Sequence, residues 1–94
     1  MITLASIERG LLLADCQVEA TERHVASQRE IVGALEEVGG DPRVARNLLN
    51  TFEDLQAFHI KNRDRLWEMK TEVETMALQR LLINQRLGRL GRYR

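Results

Sequence analysis

The chain has few of the residues that turn-rich and disulfide-bonded folds use. Its 94 residues include one proline, one cysteine and four aromatic residues, which favours long helices over a sheet. The single cysteine, Cys16, excludes an intrachain disulfide and is typical of a reducing compartment. Asp15 precedes Cys16 where a lipoprotein processing site needs a small residue. No apolar run approaches the roughly 20 residues of a membrane span. We therefore expect a cytoplasmic helical protein of one domain.

Net charge is also absent, because 14 basic residues balance 14 acidic ones. This excludes a global field that would attract nucleic acid or an anionic membrane. The distribution is uneven, since residues 75 to 94 carry +5 and residues 1 to 74 carry −5. The positive charge of this basic tail comes from Arg80, Arg86, Arg89, Arg92 and Arg94.

What the chain does have is a regular spacing of apolar residues. In the first half, residues at alternating intervals of three and four form one row: Leu4, Ile7, Leu11, Ala14, Val18, Thr21, Val25, Gln28, Val32 and Leu35. Such a row predicts a helix packed along its length against another. In the second half the predicted row is Ala45, Leu48, Phe52, Leu55, His59, Asn62, Leu66, Met69, Val73 and Met76.

Between the two rows lies GGDP, residues 39 to 42. Glycine accepts the left-handed conformation that ends a helix, Asp41 is a good cap for the next one, and Pro42 suits a first helical position. A connection this short makes the helices antiparallel. The sequence predicts an all-α fold: a long, coiled-coil-like two-helix hairpin over residues 1 to 76, and a basic amphipathic extension of the second helix over residues 77 to 94.

Antiparallel pairing about this turn brings residues whose numbers add to roughly 80 to the same level. A polar layer that fixes the register is then expected from Thr21, Gln28, His59 and Asn62. Apolar residues off the rows need a further covering surface. We expect them to form the interface of a homodimer, as a four-helix bundle, although a different protein partner would satisfy the same surface: Leu12, Leu13, Ile31, Val38, Leu49, Phe58 and Trp67.

The sequence contains no strong motif for catalysis or for metal or phosphate binding. Neither histidine follows a glutamate by three residues, so the Glu-x-x-His motif of metal-binding bundles is missing. No phosphate-binding glycine loop occurs, and Cys16 is expected to be a small buried thiol. We expect no catalytic residue, metal, cofactor or small-molecule substrate.

The stretch from Arg23 to Leu66 resembles a set of short bacterial proteins with no established activity. Their pattern is RHIxxQRxIIxxLExxG, a brief turn, and ARxLLxTFExxQxxHxxxRDRL. Matching positions here are Arg23, His24, Gln28, Arg29, Ala45, Arg46, Leu48, Leu49, Phe52, Glu53, Gln56, His59, Arg63, Asp64 and Arg65. The resemblance implies a helical hairpin, and the basic tail departs from the usual ending after RDRL.

The sequence thus indicates a non-enzymatic interaction or adaptor protein that dimerises. Its polar matched residues, such as Gln28, His59, Arg63 and Asp64, are expected to form a hydrogen-bond network that specifies pairing. The alternative is a peripheral binder of anionic membrane or RNA through residues 77 to 94. The tail is otherwise a disordered end or a helix that packs on a partner subunit.

Overall fold

The fold is a single antiparallel helical hairpin. A computed structural model describes the backbone of residues 2 to 91 and the side chains of residues 2 to 88. Helix α1 is Leu4–Glu37 and helix α2 is Arg43–Gly91. They form a rod of 86 × 18 × 14 Å. The predicted all-α hairpin is confirmed. Of the predicted basic tail, the side chain of Arg89 and all of Arg92 and Arg94 lie outside the described residues.

A reciprocal cap starts α1. The hydroxyl of Thr3 accepts a hydrogen bond from the backbone N–H of Ser6 at 3.1 Å, and the hydroxyl of Ser6 accepts one from the N–H of Thr3 at 3.1 Å. Each bond satisfies a backbone donor that has no partner inside the helix. The N-terminal cap of α1 therefore uses the side chains of both Thr3 and Ser6.

The connection between the helices follows the predicted chemistry. Gly39 has a φ of +73°, the left-handed conformation that glycine adopts without strain. Gly40 N–H then donates to Leu35 O at 2.8 Å. An oxygen of Asp41 accepts from Arg43 N–H at 3.1 Å, and Pro42 stands immediately before α2. Hydrogen bonds from the Arg43 side chain and backbone hold the pKa of the Asp41 carboxyl below its ordinary value.

The core is one row of α1 side chains. The buried residues of this helix are Ile7, Leu11, Ala14, Val18, Thr21, Val25, Gln28 and Val32. All eight belong to the predicted row, whose outermost members Leu4 and Leu35 are less covered. Within the described part of α2 no residue reaches the same burial. The core of the hairpin is therefore narrow, because it consists of this one row of α1 covered by the larger side chains of α2.

The row that α2 turns toward α1 differs from the predicted one. Leu48 and Leu55, expected in the row, are 44% and 42% exposed. Their neighbours Leu49 and Gln56 are half-buried instead. Compared with the prediction, helix α2 is thus rotated about its own axis by about half of the roughly 100° that separates successive residues of an α-helix. Leu48 and Leu55 then lie at the edge of the helix pair, toward one face of the rod.

The two helices differ in length, so part of α2 has no neighbour. Helix α1 has 34 residues and α2 has 49. Described side chains from Glu74 to Gly88 are all exposed. We call residues 77 to 91 the overhang; it extends about 22 Å at 1.5 Å per residue.

Candidate interaction surface

One side of α1 carries no charge along its whole length. Its ten charged residues all lie on the other side of the helix, whereas a second row at alternating intervals of three and four is neutral throughout. This row is Ser6, Gly10, Leu13, Gln17, Ala20, His24, Ser27, Ile31, Ala34 and Val38. It runs beside the buried row and is largely exposed.

Helix α2 has a matching row next to its contact with α1. It consists of Val44, Leu48, Thr51, Leu55, Phe58 and Asn62, again spaced by three and four and again uncharged. Phe58 is 64% exposed. Beyond Asn62 the same line continues through Arg65 and Glu72, so the neutral part of α2 belongs to the half nearest the turn.

Contacts between the helices place both rows on the same face of the rod. The rings of His24 and Phe52 approach to 5.5 Å between centroids. Gly10 lies against Leu66, whose Cδ1 would be 3.6 Å from a Cβ built on that glycine. In each pair the α1 residue belongs to the neutral row, and the α2 residue lies on the side of the neutral row of α2. We call the two rows together the uncharged face.

The opposite face of the rod, which we call the charged face, carries ion pairs between the two helices. Arg29 Nη2 lies 3.9 Å from Glu53 Oε1, and Lys70 Nζ lies 3.9 Å from Glu8 Oε1. Arg46 pairs with Glu36 next to the turn. Exposed pairs of this kind contribute at most about 1 kcal/mol each. Their charges keep this face hydrated, so the two faces of the rod differ sharply in polarity.

The residues predicted for an interface fall into three groups. Leu13, Ile31, Val38 and Phe58 belong to the uncharged face. Leu49 is half-buried between the helices.

Leu12 and Trp67 lie on the charged face. There they line an open groove with Glu8, Asp15 and Lys70, and Lys70 Nζ stands 5.0 Å from the centre of a Trp67 ring.

Sequence reasoning missed Val44, Leu48 and Leu55 as surface residues. The lack of charge along their row was the signal that would have identified them.

The four residues predicted to fix register have separate surroundings. Gln28 is buried and its Nε2 donates to Ala45 O at 2.9 Å across the hairpin. The buried Thr21 hydroxyl instead contacts Gln17 O and Val18 O of its own helix. His59 Nδ1 is buried without a hydrogen-bond partner, and Asn62 Oδ1 accepts from Arg65 at 2.9 Å.

Within the hairpin the expected network of polar matched residues does not form. Gln28 bonds to Ala45 near the turn end of α2, and His59 lies 14 residues further along that helix, about 21 Å from Ala45. Arg63 Nε is 3.7 Å from Asp64 Oδ1 of its own helix. Several matched residues instead hold the helices together: Gln28 with Ala45, His24 with Phe52, and Arg29 with Glu53.

The side chains that could bind a metal or act in catalysis are dispersed along the rod. Across the described residues, no three His, Cys, Asp or Glu side chains come together as a metal site. His24 packs on Phe52, and His59 contacts the Phe58 ring edge-on at 5.5 Å. The expectation that Cys16 is buried is wrong, because its thiol is exposed. Cys16 lies on the outer line of α1 with Arg9 and Arg23, seven residues away on either side.

The overhang is a second exposed apolar surface. Leu78, Leu81, Leu82, Ile83 and Leu87 are each at least half exposed. Arg80 and Arg86 lie among them, and no acidic residue follows Glu74. Neither described helix contains a stretch long and apolar enough to cross a membrane.

Comparisons with known proteins do not add a function. No family model, curated protein or solved structure matches the chain. The resemblance to short bacterial hairpin proteins therefore stays a prediction.

Proposed function

We propose that this chain is a cytoplasmic, non-enzymatic adaptor that acts through helix packing as a homodimer. The observation that carries the proposal is the uncharged face. Large apolar side chains such as Leu55 and Phe58 lie exposed there without a charge beside them in the row. Apolar surface of this extent normally marks a protein interface. The narrow core of the lone hairpin is a further reason to expect a partner, because small domains bury little surface.

The size of the face suits a dimer. Where both rows are neutral, the face is about 30 Å long and about 18 Å wide, or about 500 Å². Along the whole of α1 the same side of the rod, which there includes Arg65 and Glu72 of α2, reaches about 900 Å². A standard protein interface buries about 800 Å² on each partner. Two copies packed on this face would form a four-helix bundle and cover Leu13, Ile31, Val38 and Phe58 at once.

Light scattering after size exclusion tests the proposal across a dilution series. We expect a particle of twice the 10.8 kDa chain mass. Phe58→Glu should raise the dissociation constant at least about a hundredfold, because an unpaired carboxylate is costly to bury. Leu12→Glu is the matched control, since Leu12 is similarly exposed but lies on the charged face. Helix content by circular dichroism checks that both variants fold.

A monomeric wild type would contradict the homodimer. A Phe58→Glu variant that folds and still dimerises like the wild type would show that the uncharged face is not the contact surface. Leu13→Glu, on the other helix of the same face, provides a second variant should Phe58→Glu fail to fold.

The overhang favours a second candidate function, the binding of anionic membrane or RNA. Its exposed leucines and Arg80 and Arg86 have the composition of a basic amphipathic helix. Deleting residues 77 to 94 discriminates between the two. The adaptor should dimerise unchanged without them, whereas retention on phosphatidylserine vesicles or on RNA should disappear if the overhang is the binding element. If the full chain is not retained on either probe, the second candidate is excluded.

A further inference from the structure

The uncharged face also carries information about how two copies are oriented. From its pairing pattern we infer that the two hairpins pack in parallel, with both turns at the same end and α1 of each copy against α2 of its partner. This inference rests on the proposed homodimer and goes beyond it, because a dimer can form in either orientation.

A twofold axis along the rod leaves every residue at its own height and exchanges left with right, so α1 faces the partner's α2. Residues that share a level inside one hairpin must then face each other across the dimer. A twofold axis across the rod places α1 on the partner's α1 and α2 on the partner's α2.

Levels within the hairpin are set by its own contacts. The pairs His24 with Phe52 and Gly10 with Leu66 have residue numbers that add to 76. The residue numbers of the ion pairs on the charged face, whose side chains are longer, add to between 78 and 82. The hydrogen bond from Gln28 to Ala45 adds to 73, and the mean over all these contacts is about 78. Residues of the two neutral rows whose numbers add to 78 or 79 therefore lie close to the same level.

At three of these levels a large side chain of one row lies opposite a small one of the other, whereas Ile31 is level with Leu48, His24 with Leu55 and Leu13 with Arg65. Phe58, the largest side chain of the face, is level with Ala20. Val44 is level with Ala34, and Met69, further along the same line of α2, is level with Gly10. Large side chains opposite small ones fill the space between two helices without voids.

At two further levels the rows match in polarity. The pairs at equal level are hydroxyl with hydroxyl for Ser27 and Thr51, and amide with amide for Gln17 and Asn62. Each pair can exchange hydrogen bonds in a buried interface, where an unpaired polar group costs about 1 to 3 kcal/mol.

The other orientation, in which the twofold axis runs across the rod and which we call crossed, lacks this match. With α2 on the partner's α2, bulky residues such as Leu55 and Phe58 would meet an equally bulky row. The α1 row, which holds Gly10, Ala20 and Ala34, would meet a row of the same composition, so fewer large side chains would be available to fill the space beside its small residues, and gaps forfeit packing energy.

Disulfide cross-linking tests the orientation. In a Cys16→Ser background, Ser27→Cys and Thr51→Cys are made as separate chains, since both positions are exposed, polar and close to cysteine in size. Mixed and oxidised, the two chains should give a covalent heterodimer, and either chain alone should stay uncrosslinked. Ala26→Cys mixed with Ala57→Cys, at exposed positions away from the uncharged face, is the control and should give no bond.

The outcomes separate the inference from the proposed function. Scattering on the same variants first establishes that a dimer exists, and a monomer would contradict the proposed homodimer itself. Given a dimer, self-crosslinking of Ser27→Cys alone or of Thr51→Cys alone would overturn the parallel arrangement, since it places like positions together. A mixture that yields no more heterodimer than the control would overturn it as well.

Discussion

Gln28 is the side chain that most directly ties the two helices together. It is buried on α1, and its amide nitrogen donates to the backbone oxygen of Ala45 on α2 at 2.9 Å. Most other polar links between the helices are exposed ion pairs, which contribute little. A buried hydrogen bond contributes about 1 kcal/mol in net terms, and this one also fixes where α2 lies along α1.

We predict that Gln28→Met lowers the free energy of unfolding by about 1 kcal/mol, because methionine keeps the volume but cannot donate. Urea unfolding followed by circular dichroism measures the change. Arg29→Met, which removes an exposed pairing side chain next to it, is the control and should cost less. If Gln28→Met is as stable as the wild type, the bond to Ala45 has no role in the hairpin's stability.

Asp41 gives the hairpin a pH dependence of known sign. Its carboxyl pKa is lowered by hydrogen bonds from Arg43, so its stabilising effect is complete above the ordinary carboxyl pKa and is lost as the pH falls through the lowered value. An NMR titration of the carboxyl carbon should show this lowered midpoint. Arg43→Ala should move the midpoint up toward the ordinary value; a midpoint that stays in place would contradict the assigned cause.

At the scale of elements, glycine is favoured at the turn and is unfavourable in the interior of α1. Gly39 has a φ of +73°, which costs a residue with a Cβ about 1 to 2 kcal/mol. Gly33 lies inside α1, and a Cβ there would meet nothing within 4 Å.

We predict that Gly39→Ala destabilises the hairpin by about 1 kcal/mol or more, and that Gly33→Ala stabilises it by about 0.5 to 1 kcal/mol. Thermal and urea unfolding of the two variants side by side measures both effects. Equal effects from the two substitutions would show that the left-handed turn is not a constraint on the fold.

The two helices differ in how well their packing could be predicted. The buried row of α1 was predictable because it is apolar at nearly every position, whereas the second uncharged row of that helix includes Ser6, Gln17 and Ser27. In α2, adjacent pairs such as Leu48 with Leu49 leave two possible rows. Only packing against the small side chains of α1 selects between them.

Two details of the surface were beyond a reading of the sequence. Arg63 and Lys70 are half-buried toward α1, because their aliphatic stems can cover apolar surface while the charged group stays in water. Cys16 is exposed because it lies on the outer line of α1, whereas its residue type favoured burial. The preference of a residue type does not reveal which way a helix is turned.

At the scale of the whole molecule, the length of the proposed dimer would report its orientation. A parallel dimer keeps every residue at its own height, so it should be no longer than the 86 Å of one chain. Small-angle X-ray scattering measures the maximum dimension, and we expect a value close to that length plus the side chains. A crossed dimer with overhangs at opposite ends would be markedly longer, and such a value would contradict the parallel arrangement.

The short connection also sets the order in which the molecule can fold. Arg46 and Glu36, next to the turn, are only ten residues apart in the chain, whereas Glu8 and Lys70 close a far larger loop. Loop closure costs less entropy when the loop is short, so we expect helix pairing to start at GGDP and to spread toward the free ends. The overhang receives no partner helix from this process, and its helical structure depends on growing outward from a segment of α2 that has already paired.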